Sequence, residues 1–146
     1  MKIVRASMEF LDDIVPLFNS YRMFYEQPND EEGARAFIQA RIENGESIIF
    51  VAFEGEQAAG FLQLYPTFSS VGMQKAYILN DLFVDPDFRK RGVGIALMNA
   101  AFQFGEKEKA RYIMLETAPN NYTAKALYEG MGMKVSNEYD SYIKYL

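Results

Sequence analysis

Three cations and two glycines stand together at Arg89-Lys90-Arg91-Gly92-Val93-Gly94. Just beyond, Val93, Leu97, Ala100, Ala101 and Phe104 recur at helical spacing, so a helix opens near Gly92. The first N–H groups of a helix have no partner inside it, and the macrodipole favours negative charge there. Gly92 and Gly94 let the backbone approach a ligand closely, and Ile95 belongs to the same first turn. The chemistry implied is the binding of a phosphate or pyrophosphate. The alternative is an ordinary strand–loop–helix whose basic residues are solvated.

A second group lies a few residues earlier. Asn80-Asp81 interrupts an otherwise apolar strand that continues as Leu82-Phe83-Val84 and stops at Asp85-Pro86. A carboxylate inside a buried strand is costly unless it is paired or faces a cleft. The chain has no Cys and no His. It therefore offers no thiolate nucleophile, no imidazole base, and no sulfur- or His-ligated metal site. Acid–base work falls to Asp, Glu, Lys, Tyr or ordered water.

The P-loop pattern is not satisfied here. The dinucleotide fingerprint fails because Leu97 stands where its third small residue belongs. The pattern R-x-x-G-x-G does match, as Arg89, Gly92 and Gly94. A second block, N-x-x-A-x-x-L-Y-x-x-x-G-[F/M], matches Asn121, Ala124, Leu127, Tyr128, Gly132 and Met133. With both blocks, in this order, the chain resembles the GNAT superfamily of N-acetyltransferases over nearly its whole length. Met133 is a mild departure, since Phe is commoner there.

The resemblance implies roles. The turn from Arg89 through Lys90, Arg91, Gly92, Val93 and Gly94 to Ile95 would hold the pyrophosphate of acetyl-CoA. Leu82, Phe83 and Val84 would hydrogen-bond the pantetheine arm, and the Asn121 amide would bind the same arm. Asn121 also reads as an N-cap for the helix after it. Tyr128 would lie near the CoA sulfur as general acid; a phenol with its ordinary pKa near ~10 keeps its proton at neutral pH and can donate it. From helical spacing alone Tyr128 reads first as a helix-face tyrosine packed in the core, and the motif match reverses that. The family's acceptor side would be lined by Tyr21, Arg22 and Tyr25. Arg22 could pair with an acceptor carboxylate, whereas Glu26 or Asp30 could hold a second amine.

For Asp81 two readings stand: it orients or deprotonates the amine, directly or through water, or it is a structural carboxylate bonded to nearby backbone. Asn80-Asp81 also resembles the pair found in polyamine acetyltransferases. They commonly have Glu-Asp there, so Asn80 departs from a Glu base and from a polyamine acceptor. No metal is implied.

The elements that position these residues follow the chain. A first strand is expected over 2–5. A helix follows over the apolar positions from Phe10 to Tyr25, with Pro16 expected to kink it or force a restart near Asp12-Asp13. A second helix runs over 31–43 and ends at Gly45. Strands at 48–53 and 58–65 flank a hairpin turn at Glu54-Gly55-Glu56. A loop spans 66–72, strands follow at 75–84 and 112–116, and short helix 123–131 comes next. Final strands are expected at 134–136 and 138–145, with Tyr139, Tyr142 and Tyr145 as sheet or interface residues. The expected class is α+β (mixed α/β), a GNAT-like fold. Its central, mostly antiparallel sheet would have about six or seven strands and be flanked by about four helices.

A chain of 146 residues fits one domain over 1–146, since domains run to about 100–200 residues. A net charge of −5 argues against nucleic acid and fits a cationic acceptor. No apolar run reaches the ~20 residues of a membrane span, and the start lacks a signal peptide, so the expected location is cytoplasmic. The resulting expectation is transfer of an acetyl group from acetyl-CoA to the primary amine of a small molecule, such as an amino acid or polyamine, through a ternary complex. Two alternatives are a protein lysine or N-terminal acetyltransferase and a non-catalytic acyl-CoA-binding regulatory module. A homodimer is expected at the family level.

Overall fold

The computed structural model describes all residues, 1–146. The chain forms two compact units, Met1–Glu116 and Thr117–Leu146. No helix is long and apolar enough to cross a membrane.

The first unit is built on one sheet in the order β1-β2-β3-β4-β5. Its strands are β1 (Lys2–Arg5), β2 (Ile48–Glu54), β3 (Gln57–Ser69), β4 (Gln74–Val84) and β5 (Ile113–Met114). The first four run antiparallel to their neighbours, and β5 joins β4 in parallel. Alternation along β2 supplies both faces of the core. Ile49 and Val51 pack under α1 (Leu11–Phe24) and α2 (Glu31–Glu43). Phe50 points the other way, against Phe104 of α3 (Val93–Lys107). The mixed α+β class with helices on both faces is as expected, but the sheet has five strands.

Pro16 does not break α1. The helix starts at Leu11 after a 3-10 turn at Met8–Phe10, which puts the proline in its second turn. Pro16 and Asp12 both face solvent, so water can satisfy the carbonyl that Pro16 cannot reach. The expected loop from Pro66 is also strand: β3 continues to Ser69, with Pro66 opposite Tyr77. Past Leu64, β3 has only β4 beside it, so a residue without an N–H is tolerated on the open side.

Gly60 shows how tightly α3 sits on the sheet. A Cβ there would lie 2.8 Å from the Phe83 carbonyl oxygen and 3.2 Å from Val93 Cγ1. Gly60→Ala must push the start of α3 off β3 and β4. The expected cost is about 1–3 kcal/mol, read by denaturant melting; an unchanged midpoint would mean the backbone relaxes freely there.

The second unit holds α4 (Tyr122–Gly130). The strands expected at 134–136 and 138–145 are absent: residues 134–146 carry neither helix nor strand. Tyr139, Tyr142 and Tyr145 are exposed side chains, not sheet residues. Their strand-like composition is real, but a strand needs an edge to bond to, and no ladder receives this segment.

Candidate active site

The site begins with an irregularity in β4. Gln63 stands opposite Asp81, and the next pair is Leu64 with Leu79, so Asn80 is an extra residue without a partner on β3. Such a bulge turns the strand and re-aims side chains. Tyr77 and Phe83, an even number of residues apart, would share a face on a regular strand. Instead Tyr77 packs against Phe104 of α3, and Phe83 joins the core under α1 and α2. The same reversal lets the adjacent Asn80 and Asp81 line one cavity.

Asp81 is only 1 % exposed. Its carboxylate accepts hydrogen bonds from the Gln63 side-chain amide and from Asn80 Nδ2 at 2.7 Å. The Tyr21 hydroxyl donates to the Asn80 carbonyl oxygen at 3.1 Å, with the Asp81 carboxylate close enough to compete for that proton. Burial raises the Asp81 pKa above its ordinary value, and the donors from Asn80, Gln63 and Tyr21 only partly offset it. Burial and the nearby Asp81 also hold the Tyr21 phenol far above its usual range and push Tyr65 up to about 12. Both phenols stay protonated at neutral pH.

The cavity has a volume of about 440 Å³, within the roughly 300–1,000 Å³ usual for small-molecule sites. Asp81 lies at its floor. Rings of Phe18, Tyr21, Phe37 and Tyr65 form much of its wall, and Arg22 and Asp30 add charge. Phe18 stacks on Phe37 at 5.5 Å and on Tyr21 at 6.3 Å. Tyr25 stands outside the wall, edge-on to Tyr21 at 5.0 Å and 53 % exposed. Asn80, Asp81, Tyr21 and Arg22 are thus brought together, and Tyr25 supports them from behind.

Two contributors escape the sequence reading. Gln63 is a lone polar residue in the run from Ala58 to Tyr65 and fully buried; the burial argument applied to Asp81 would have found it. Asn19 is 6 % exposed on the inner face of α1. It donates to Asn29 Oδ1 at 2.8 Å and accepts from the Asp30 N–H at 3.0 Å. Those bonds pin the α1–α2 loop that carries Asp30 to the cavity wall. An asparagine at a core position of an amphipathic helix was the available signal.

Past the bulge, β4 runs along an open edge. β5 pairs only with Tyr77 and Ile78, so Leu82, Phe83 and Val84 have no strand on that side. The chain then enters the basic turn. Asp85 caps a 3-10 turn at Pro86–Phe88 by accepting from the Asp87 N–H at 2.9 Å. Arg89 Nε donates to the Val84 carbonyl at 3.0 Å, and its guanidinium lies over the Phe83 ring. Arg89 therefore fastens the turn to the end of β4. Lys90 and Gly92 take left-handed backbone at φ 63° and 81°. Gly92 is the N-cap of α3, with no side chain to satisfy the helix start and no acidic residue in the first turn. The N–H groups of Val93, Gly94 and Ile95 are therefore left to a ligand or water. This fits an anionic phosphate group.

In the second unit Asn121 accepts from the Ala124 N–H at 3.3 Å, the N-cap role read from its position. Tyr128 lies in the third turn of α4. No group of three or more Asp or Glu side chains is placed to hold a metal ion.

Comparison with known proteins fits this geometry. The model of the acetyltransferase (GNAT) family matches residues 14–133. An uncharacterized N-acetyltransferase of Bacillus subtilis, YhfO, is 48% identical over 132 residues, covering 90% of this chain and 89% of its own. A crystal structure of a probable acetyltransferase superimposes with a TM-score of 0.95 at 34% identity, covering 100% of this chain and 98% of its own. An aminoglycoside N-acetyltransferase in complex with CoA has the same fold, with a TM-score of 0.82 at 20% identity over 99% and 95% of the two chains. The chain belongs to the GNAT family and is an N-acetyltransferase.

Proposed function

We propose that the protein transfers an acetyl group from acetyl-CoA to the primary amine of a small molecule, by direct attack in a ternary complex. One observation carries this reading: a buried carboxylate, Asp81, stands at the floor of an aromatic cavity on the strand that leads into the basic turn. The cavity's size and ring-lined wall favour a compact acceptor over a protein surface.

Acetyl-CoA would supply the activated acyl group. Its pyrophosphate suits the free N–H groups of Val93, Gly94 and Ile95, with Lys90 and Arg91 adding charge and Arg89 fixing the turn. Leu82, Phe83 and Val84 offer an open backbone edge for its arm. The CoA complex of the similarly folded aminoglycoside enzyme supports this assignment. Asp81 attracts the acceptor as an ammonium ion and accepts its proton, directly or through water, leaving the neutral amine that attack requires. Asn80 helps hold that carboxylate, and the raised pKa of Asp81 brings its proton affinity closer to that of an amine. Tyr128 would protonate the departing thiolate, and Asn121 would contact the CoA arm; both roles rest on the resemblance of their block to the family pattern. Side-by-side placement of the reactants supplies much of the acceleration.

Initial-rate kinetics test the route. Intersecting double-reciprocal lines are expected, because a chain without Cys or His offers no ordinary acyl carrier. Parallel lines would mean a covalent enzyme intermediate. A homodimer belongs to this reading, supported by the exposed Tyr139, Tyr142, Ile143 and Tyr145; sedimentation at micromolar concentration measures it.

Gln63 gives a sharper test of Asp81. Its amide holds the Asp81 pKa down, while its own Oε1 has no partner. Gln63→Leu removes that donor, so the Asp81 pKa rises further and the acid limb of kcat/KM moves to higher pH. The melting temperature at neutral pH should also fall, because the buried Asp81 carboxylate loses a donor, and part of that loss should return on acidification. An unmoved acid limb would detach Asp81 from the observed ionisation.

A further inference from the structure

We infer that the acceptor carries a carboxylate which Arg22 binds, making it an amino acid and not a simple amine or a diamine. This rests on the transfer reading above and refines it.

Arg22 stands in the last turn of α1, next to Tyr21, half-buried in the cavity wall. Its guanidinium has no hydrogen bond, ion pair or ring contact within the protein. The other arginines are engaged, apart from Arg111, which is exposed to solvent. Arg35 pairs with Asp12 at 2.8 Å, Arg41 pairs with Glu46 and covers the Phe37 ring, and Arg5 and Arg91 lie over Phe104 and Phe88. A partly desolvated guanidinium facing a cavity offers a planar set of donors that matches a carboxylate in a two-bond fork.

The remaining charges of the cavity agree with this. Asp30 faces the same space, but its Oδ1 accepts from the Gly33 N–H and caps α2. That carboxylate is already shared with a helix start, which makes it a weaker site for a second ammonium. Asp81 is left for one amine and Arg22 for one anion. The rings of Phe18, Tyr21, Phe37 and Tyr65 provide an apolar wall for the acceptor's body. A zwitterion with an apolar side chain satisfies each group once. A diamine would place its second cation in a wall that already contains an unpaired arginine.

The test uses matched acceptors that differ only in the carboxylate: phenylalanine with phenethylamine, leucine with isoamylamine, γ-aminobutyrate with propylamine, and putrescine as the diamine. Each is assayed by kcat/KM with the wild-type enzyme, Arg22→Met and Arg22→Lys. In at least one pair the wild type should favour the amino acid by roughly 10- to 100-fold, the range of a charge-assisted hydrogen-bonded pair. That ratio should collapse in Arg22→Met and partly return in Arg22→Lys. Preference for the bare amines or for putrescine, or a ratio untouched by Arg22→Met, would overturn the inference while leaving acetyl transfer standing. Calorimetric binding of the same pairs with CoA present separates the two readings. Carboxylate-dependent binding without transfer would keep Arg22's role and defeat the transferase reading. No binding and no transfer with any pair would defeat both.

Discussion

Asp81→Asn is expected to lower kcat/KM by roughly 10²–10⁴-fold, the usual contribution of a positioned acid–base group, without unfolding the protein. The substitution removes the proposed proton acceptor and keeps the shape. The Gln63 amide can turn over so that its unpartnered Oε1 accepts from the new side-chain amide. The stability sign can be worked out as well. Burial raises the Asp81 pKa above its ordinary 3.8, so the native protein holds that proton more tightly than the unfolded chain does. The associated stability is complete below 3.8 and is lost as pH rises through the folded-state value. At neutral pH the ionised carboxylate is therefore a burden on the fold. The asparagine variant should melt no lower than wild type at pH 7, and its advantage should fade on acidification. Activity within a few-fold of wild type would show that the amine's proton leaves by another route.

Tyr128→Phe is the second large effect. Removing the proposed general acid for the thiolate should lower kcat by roughly 10²–10³-fold. Acetyl-CoA affinity, measured by calorimetry, should stay within a few-fold of wild type, because the ring remains. A large loss of affinity with kcat preserved would make Tyr128 a packing residue.

Some of this site is written locally in the chain, and some is not. The basic turn is legible because everything it needs is contiguous: proline to stop the strand, glycine for positive φ at position 92, and apolar spacing for α3. Asp81 is legible because a carboxylate in an apolar strand is conspicuous. The bulge at Asn80 is not, since it is a property of the register between β3 and β4, and neither strand encodes that alone. Without the bulge, Asn80 and Asp81 would point to opposite faces. Gln63 becomes meaningful only when the register sets it opposite Asp81. Asn19 and Asn29 lie ten residues apart and meet only because α1 and its loop fold back. The strands expected at 134–145 fail for the converse reason: their composition is right, but pairing depends on an edge elsewhere.

The most direct measurement is thiol release from acetyl-CoA with a panel of amino acids, polyamines, aminoglycosides and lysine-containing peptides and proteins, run beside Asp81→Asn and Tyr128→Phe. Release with one class of small amine, abolished or nearly so in both variants, is the predicted result. Release only with peptide or protein lysines, or none above background while acetyl-CoA still raises the melting temperature, would contradict a small-amine acetyltransferase.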